Sequence, residues 1–125
     1  MFYGEHEMDT SPAHIIQSHW PALIERGYRI IMYPGQIVFY VGHIPHGLYI
    51  LHFGTVEFSA MTHECLKESP LHAPSARMLC LQHVLDAAPY CCTCTVVETC
   101  VFTVVPRAQI QTFVVHAAQQ RGPVV

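Results

Sequence analysis

The sequence predicts a mainly β fold, a sandwich or barrel, with helices at both ends. Between Tyr28 and Val105, short runs of β-branched and aromatic residues alternate with turn residues, a pattern typical of such folds. The flanking segments 11–26 and 107–120 carry helix signals instead. Of the 125 residues, 51% are hydrophobic, which is enough to build a buried core. That content, with only 12% charged residues, excludes an intrinsically disordered chain.

The first helix is predicted from its boundary residues. Ser11 suits the N-cap and Pro12 the first helical position, while Gly27 is a typical C-terminal stop. Pro21 interrupts the segment and has no amide proton to continue the helical hydrogen bonds. We therefore expect a kink or two short helices over residues 11–26.

The middle of the chain is predicted to hold the strands. Pro34-Gly35 indicates a type II turn, and Gly54 a hinge between two strands. Residues 63–75 include two prolines and are expected to form an exposed connection. Seven runs share the β-rich composition and are predicted as strands: Tyr28–Tyr33, Gln36–Val41, Leu48–Phe53, Thr55–Ala60, Arg77–Leu81, Cys94–Val97 and Val101–Val105.

A closing helix is predicted over Arg107–Gln120, directly after Pro106. Its apolar residues recur at helical spacing and form one stripe, which either packs on the barrel or forms a dimer contact. The stripe consists of Ile110, Phe113, Val114 and Ala117.

Charge and composition restrict the functional classes. Six basic against nine acidic residues give a formal charge of −3, so a basic surface for nucleic acid is not expected. No apolar run approaches the ~18–20 residues of a membrane span, and the acidic N-terminus does not resemble a signal peptide. We therefore expect a cytoplasmic protein whose six cysteines are mostly thiols. The ten histidines, each adding one charge when protonated, would take the formal charge from −3 to +7.

The segment 33–56 carries the most specific pattern, with glycines and apolar residues at fixed spacing. It resembles the cyclic-nucleotide-binding domain of the catabolite-activator and FNR regulator superfamily. Residues 85–94 resemble the later part of that domain, and the likeness extends over residues 12–118. The matching positions of the first segment are Gly35, Gly42, Leu48, Tyr49, Ile50, Gly54 and Val56.

The resemblance implies a double-stranded β-helix jelly-roll barrel over residues 28–105, with flanking helices at 11–26 and 107–120. Residues 1–125 would then form one regulatory sensor domain, not an enzyme, that responds to a small-molecule effector. It also implies a homodimer through the helix that follows the barrel. Relatives that regulate transcription continue into a winged helix-turn-helix, and this sequence contains no such DNA-binding module.

The sequence departs from the family in the phosphate-binding cassette. In nucleotide-binding relatives, a Gly-Glu pair contacts the ribose and an Arg-Ser pair holds the cyclic phosphate. Here Cys80-Leu81 and Tyr90-Cys91 stand at those positions. An arginine suits phosphate because its guanidinium forms bidentate, charge-assisted hydrogen bonds. Standard binding of cyclic AMP or cyclic GMP is therefore not expected. Gln82 and Arg77 are the candidates to replace the lost contacts to the ribose and the phosphate.

Two arrangements of the degenerate cassette follow from these substitutions. In one, an apolar pocket remains for a neutral ligand; in the other, Tyr90 occupies the former phosphate site and leaves no pocket. The candidate binding residues are Cys80, Leu81, Gln82, His83, Tyr90 and Cys91.

Metal and haem sites are the alternatives. Cys80 and His83 are competent haem ligands, as in the haem-binding sensors of the superfamily. A cupin-like metalloprotein would use histidines among His43, His46 and His52. Alternation along a strand puts Cys92 and Cys94 on one side, where small buried residues fill a core. We predict no cofactor.

Overall fold

The computed structural model describes residues 11–62, 69–72 and 76–121. It is mainly antiparallel β with helices at both ends and one short helix between strands. The strands are β1 (Tyr28–Met32), β2 (Ile37–Phe39), β3 (Gly47–Ser59), β4 (Leu71–His72), β5 (Arg77–Leu79) and β6 (Thr93–Pro106). The helices are α1 (Pro12–Ser18), α2 (Trp20–Ile24), α3 (Leu81–Asp86) and α4 (Arg107–Arg121).

The two long strands, β3 and β6, organise the sheet. They have 13 and 14 residues and pair with each other from Gly47↔Pro106 to Ser59↔Thr93. One half of this pair is flanked by β1 and β5, in the order β1-β6-β3-β5. The other half is flanked by β2 and β4, in the order β2-β6-β3-β4. The result is the predicted jelly roll, although its sheet is not closed into a complete barrel.

Gly54 lies within a continuous strand, so the predicted division of β3 at this residue is wrong. The pairing register between β3 and β6 shifts on both sides of Gly54, which has a φ of +106°. A Cβ atom there would overlap the carbonyl oxygen of Thr99 and lie 2.7 Å from the Cα of Cys100. Gly54 therefore provides a bulge that bends the strand without ending it. The predicted strands in β6 are likewise one strand.

The connection expected over residues 63–75 is partly wrong. Leu71 and His72 form β4, which pairs with Val56 and Thr55 of β3. Leu71 is buried in the core, so at least this part of the segment is not an exposed loop. The rest of the predicted connection lies outside the described residues, except for 69 and 70.

The apolar core has two parts on opposite faces of the long strands. Alternate side chains of β3 separate them: Tyr49 and Leu51 face the jelly-roll interior, and Leu48 and Ile50 face the helices. We call the first part the interior cluster; it also includes aromatic side chains and cysteines. We call the second part the helix-layer cluster. It contains Ile16, Leu23, Leu48, Ile50, Leu81, Val84, Val105, Ile110 and Phe113.

The N-terminal segment forms two short helices, in agreement with the expectation from Pro21. The Ser11 hydroxyl accepts a hydrogen bond from the His14 amide at 3.2 Å, and Pro12 begins α1. His19 separates α1 from α2.

The closing helix α4 turns its apolar stripe inward. Ile110 and Phe113 are 2% and 6% exposed, within the helix-layer cluster. The guanidinium of Arg26 lies 5.3 Å from the centre of the Phe113 ring. The stripe therefore packs on its own fold, and its use as the main dimer contact is not supported. None of the helices in the described part of the chain is long and apolar enough to cross a membrane.

Candidate functional site

The cassette segment begins at an unusual backbone position. Cys80 has a φ of +55° and ψ of +44°, in the left-handed region, and immediately precedes α3. Glycine enters this region without steric cost, whereas a side chain with a Cβ is strained there. The family resemblance places a glycine at this position in nucleotide-binding relatives. In this chain, therefore, a cysteine adopts the left-handed conformation that glycine favours.

Tyr90 lies inside the jelly roll. It is 4% exposed, and its ring stacks on Phe39 with centroids 3.8 Å apart and planes 10° from parallel. Its amide donates to the carbonyl of His43 at 2.9 Å, and its carbonyl accepts from the amide of Gly42 at 2.8 Å. These bonds join Tyr90 to the glycine turn before β3. Burial raises the pKa of the Tyr90 hydroxyl well above its ordinary value, which keeps the side chain neutral.

The aromatic contacts continue across the interior. The rings of Phe39 and Tyr49 are 6.3 Å apart, and those of Tyr49 and Phe102 are 5.7 Å apart and nearly perpendicular. Burial also raises the pKa of Tyr49. Among the described residues, the buried polar or charged side chains are those of Thr55 and Thr103. Within that part of the chain, the interior therefore offers no buried cation to a phosphate.

Cysteines complete the interior cluster. Cys92, Cys94 and Cys100 are buried in the interior cluster and form no disulfide, so the predicted common orientation of Cys92 and Cys94 is confirmed. Burial raises the pKa of both Cys94 and Cys100, and thiols in this state are poor nucleophiles and metal ligands.

Cys91 differs from its neighbours. It is half-buried and disulfide-bonded, and is thus an exception to the expectation that the cysteines are mostly thiols. A disulfide is favoured by an oxidising environment, which the composition did not indicate.

The structure distributes the six predicted site residues over different surroundings. Cys80 and Tyr90 belong to the interior cluster, and Cys91 packs against it. Leu81 belongs to the helix-layer cluster on the other side of the sheet. Gln82 is exposed and donates a hydrogen bond to Asp86 at 3.0 Å, while His83 is half-buried.

Arg77, the proposed substitute for the phosphate arginine, is an exposed residue of β5 opposite Leu51. Together with the position of Gln82, this leaves the cassette without the substitute contacts considered from the sequence.

The histidines of the alternative metal readings are spread over the surface. The His43 ring lies 5.3 Å from that of Tyr40, and the His46 ring 5.9 Å from that of Tyr49. His52 hydrogen-bonds to the Thr103 hydroxyl at 2.8 Å. No group of three or more His, Cys, Asp or Glu side chains within the described ranges could hold a metal ion.

A cavity that the sequence analysis missed lies between α3 and α4. Its volume is about 360 Å³, and it opens beside the start of α1. Gln82, Leu85 and Asp86 line it from α3 at the i, i+3, i+4 spacing of one helix face. Arg107, Ile110 and Val114 do so from α4 at i, i+3 and i+7. These spacings were readable in the sequence, but the pairing of the two faces depends on tertiary packing.

Comparison with known proteins identifies the fold. No protein-family model matches the sequence, and no curated protein matches it either. The crystal structure of the Thermus thermophilus catabolite activator protein superposes with a TM-score of 0.64 at 15% identity, covering 89% of this chain and 56% of that one. The present chain thus spans little more than half of that protein.

Two further solved structures match over most of their own length. The sensor domain of the transcriptional regulator DNR from Pseudomonas aeruginosa gives a TM-score of 0.61 at 15% identity, covering 97% of this chain and 87% of that one. A cyclic nucleotide-binding-like protein from Brucella abortus gives 0.63 at 13% identity, covering 84% and 96%. The chain has the cyclic-nucleotide-binding-domain fold.

Proposed function

We propose that this chain is a ligand-sensing regulatory domain that does not bind cyclic AMP or cyclic GMP in the standard way. The fold supports the sensing role, because its solved neighbours include a transcriptional regulator's sensor domain and a catabolite activator protein. The position of Tyr90 supports the second part. Its ring is stacked on Phe39 inside the jelly roll, at the position that the resemblance assigns to the phosphate arginine.

The energetics of a buried phosphate support the same conclusion. An anion moved from water into an apolar interior needs charge-assisted hydrogen bonds to offset its lost hydration. Tyr90 carries no positive charge, and its ring is buried against Phe39 in the interior. Leu81, at the position of the ribose carboxylate, packs in the helix-layer cluster. Neither residue supplies a polar contact of the required kind.

In our proposal, an effector changes the position or mobility of α4, the helix that follows the barrel. The test is a thermal-shift screen of small metabolites, followed by hydrogen exchange of the protein with each compound that raises the melting temperature. A sensing domain shows altered amide protection in α4 as well as at the binding site. If compounds bind without changing protection in α4, the chain is a binding module without this regulatory output.

A homodimer stays a prediction. Ile110 and Phe113 face inward, whereas Val115 of the same helix is 55% exposed and is available for a contact with a second copy. We expect Val115→Glu to shift a dimer toward monomer in sedimentation equilibrium, with Gln109→Glu on the same helix as the control. A wild-type monomer at high micromolar concentration contradicts the proposal.

A cytoplasmic location also stays a prediction, and Cys91 is the residue that tests it. If the protein lies in a reducing compartment, we expect the disulfide of the structure to be reduced and Cys91 to react as a thiol when intact cells are alkylated before lysis. Mass spectrometry of the alkylated protein measures this. A Cys91 that stays unmodified until a reductant is added contradicts a reducing location.

A further inference from the structure

The cavity between α3 and α4 combines an apolar floor with charged groups at its edge. Val84 and Ile110 are 1% and 2% exposed, and Leu85 and Val114 are half-buried beside them. Its volume of about 360 Å³ lies in the range of small-molecule sites, roughly 300–1,000 Å³. The cavity is separate from the interior cluster, because its buried wall residues belong to the helix-layer cluster.

Two opposite charges lie on the cavity wall. Arg107, half-buried, is the first residue of α4. Asp86, which is exposed, is the last residue of α3, and one of its carboxylate oxygens accepts the hydrogen bond from Gln82. The wall thus has a guanidinium from one helix and a carboxylate from the other. Their formal charges balance. A ligand with a net negative charge is therefore attracted by Arg107 and repelled by Asp86.

We propose that this cavity binds a small apolar zwitterion, of the chemistry of a hydrophobic α-amino acid. The ligand's carboxylate would contact Arg107, its ammonium group Asp86, and its aliphatic or aromatic side chain the floor at Val84 and Ile110. This proposal rests on the proposed sensing function, since it names the class of effector. A ligand held in this way contacts both α3 and α4, so its binding fixes one helix against the other.

The charge pattern distinguishes this ligand class from others. A carboxylate bonded to Arg107 forms a charge-assisted pair, and an ammonium group bonded to Asp86 forms a second. A molecule with only one of these charges makes only one of the two charge-assisted pairs and is expected to bind at least about tenfold more weakly. Cyclic nucleotides, which carry an anion without a compensating cation, belong to the disfavoured group.

Isothermal titration with L-leucine and L-phenylalanine tests the proposal. 4-Methylpentanoate and 3-methylbutylamine, each with one charge, serve as ligand controls. We expect the amino acids to bind at least about tenfold more tightly than either control. We also expect Arg107→Gln and Asp86→Asn each to weaken amino-acid binding by at least about tenfold. Arg29→Gln and Glu57→Gln make the same charge changes at exposed positions away from the cavity and should leave binding unchanged.

The proposal is overturned if no hydrophobic amino acid binds, if the single-charge molecules bind equally well, or if the cavity variants bind like wild type. Melting curves of each variant show whether it is folded, so a loss of binding in a folded variant supports the site. Failure here does not contradict the sensing function. The sensing function is contradicted by a different result: compounds from the metabolite screen bind, but amide hydrogen exchange in α4 does not change.

Discussion

The interior of the jelly roll and the layer beneath its helices are both apolar, but they differ in the side chains that form them. The interior holds stacked aromatic rings and buried thiols around Tyr90. The helix layer is packed around Ile16 and Leu23 but leaves a cavity between α3 and α4, with Arg107 and Asp86 at its edge. In our proposal, the Tyr90 ring fills the internal ligand site that the family resemblance implies. A cavity elsewhere in the same fold then becomes the candidate site.

The largest expected effect of a single substitution is at Tyr90. Tyr90→Ala removes a ring that is buried and stacked on Phe39, and we expect it to lower the free energy of unfolding by about 3–5 kcal/mol. Urea denaturation followed by circular dichroism measures this. Tyr40→Ala is the control, because Tyr40 is 50% exposed and its removal should cost less than about 1 kcal/mol. Similar losses for the two variants would show that the Tyr90 ring does not fill the interior.

A smaller effect is expected at the bulge in β3. Gly54 and Gly35 both have positive φ angles, +106° and +91°, so Ala introduces backbone strain at either position. At Gly54 the added methyl group also overlaps the carbonyl of Thr99, whereas at Gly35 no heavy atom lies within 4 Å. We expect Gly54→Ala to destabilise the fold by about 1–3 kcal/mol more than Gly35→Ala. Equal losses, measured by the same urea titration, would mean that the close approach at Gly54 is not maintained.

The smallest effect concerns His52, on the outer side of the sheet. Partial burial and, secondly, the charge of Arg29 lower its pKa in the folded protein. The unfolded chain, with an ordinary histidine pKa of ~6.5, then binds the proton more readily. The contribution of neutral His52 to the free energy of unfolding is therefore complete above about pH 6.5. It is lost as the pH falls toward the pKa of His52 in the folded protein. His52→Gln should give a shallower loss of stability between about pH 6.5 and pH 5, and an unchanged slope would contradict this account.

Much of the fold could be predicted because local signals agree with the tertiary structure. The β-branched runs, Pro34-Gly35 and the capping residues Ser11 and Pro12 act over a few residues. The continuity of β3 through Gly54 could not be predicted in this way. It depends on the long pairing with β6, which allows a glycine to form a bulge where the sequence alone indicates a break.

The candidate site was less predictable. The family resemblance predicts that Tyr90 stands in place of an arginine, but whether its ring leaves a pocket depends on the position of Phe39, more than 50 residues earlier. The cavity at Arg107 and Asp86 depends on how two helices pack, and neither helix reveals that alone. The disulfide at Cys91 likewise could not be predicted, because the number of cysteines does not show which of them lie close together in the folded chain.

Titration of the wild-type protein with cyclic AMP tests the central claim most directly. On the proposal that the Tyr90 ring takes the place of the phosphate arginine, we expect no saturable heat of binding at millimolar nucleotide. Tyr90→Phe, which keeps the stacked ring, should behave in the same way. A ligand present at 100 times its Kd would also stabilise the protein by about 2.7 kcal/mol, so the melting temperature should not rise either. Saturable binding with a micromolar Kd would contradict the claim that the interior is closed to cyclic nucleotides.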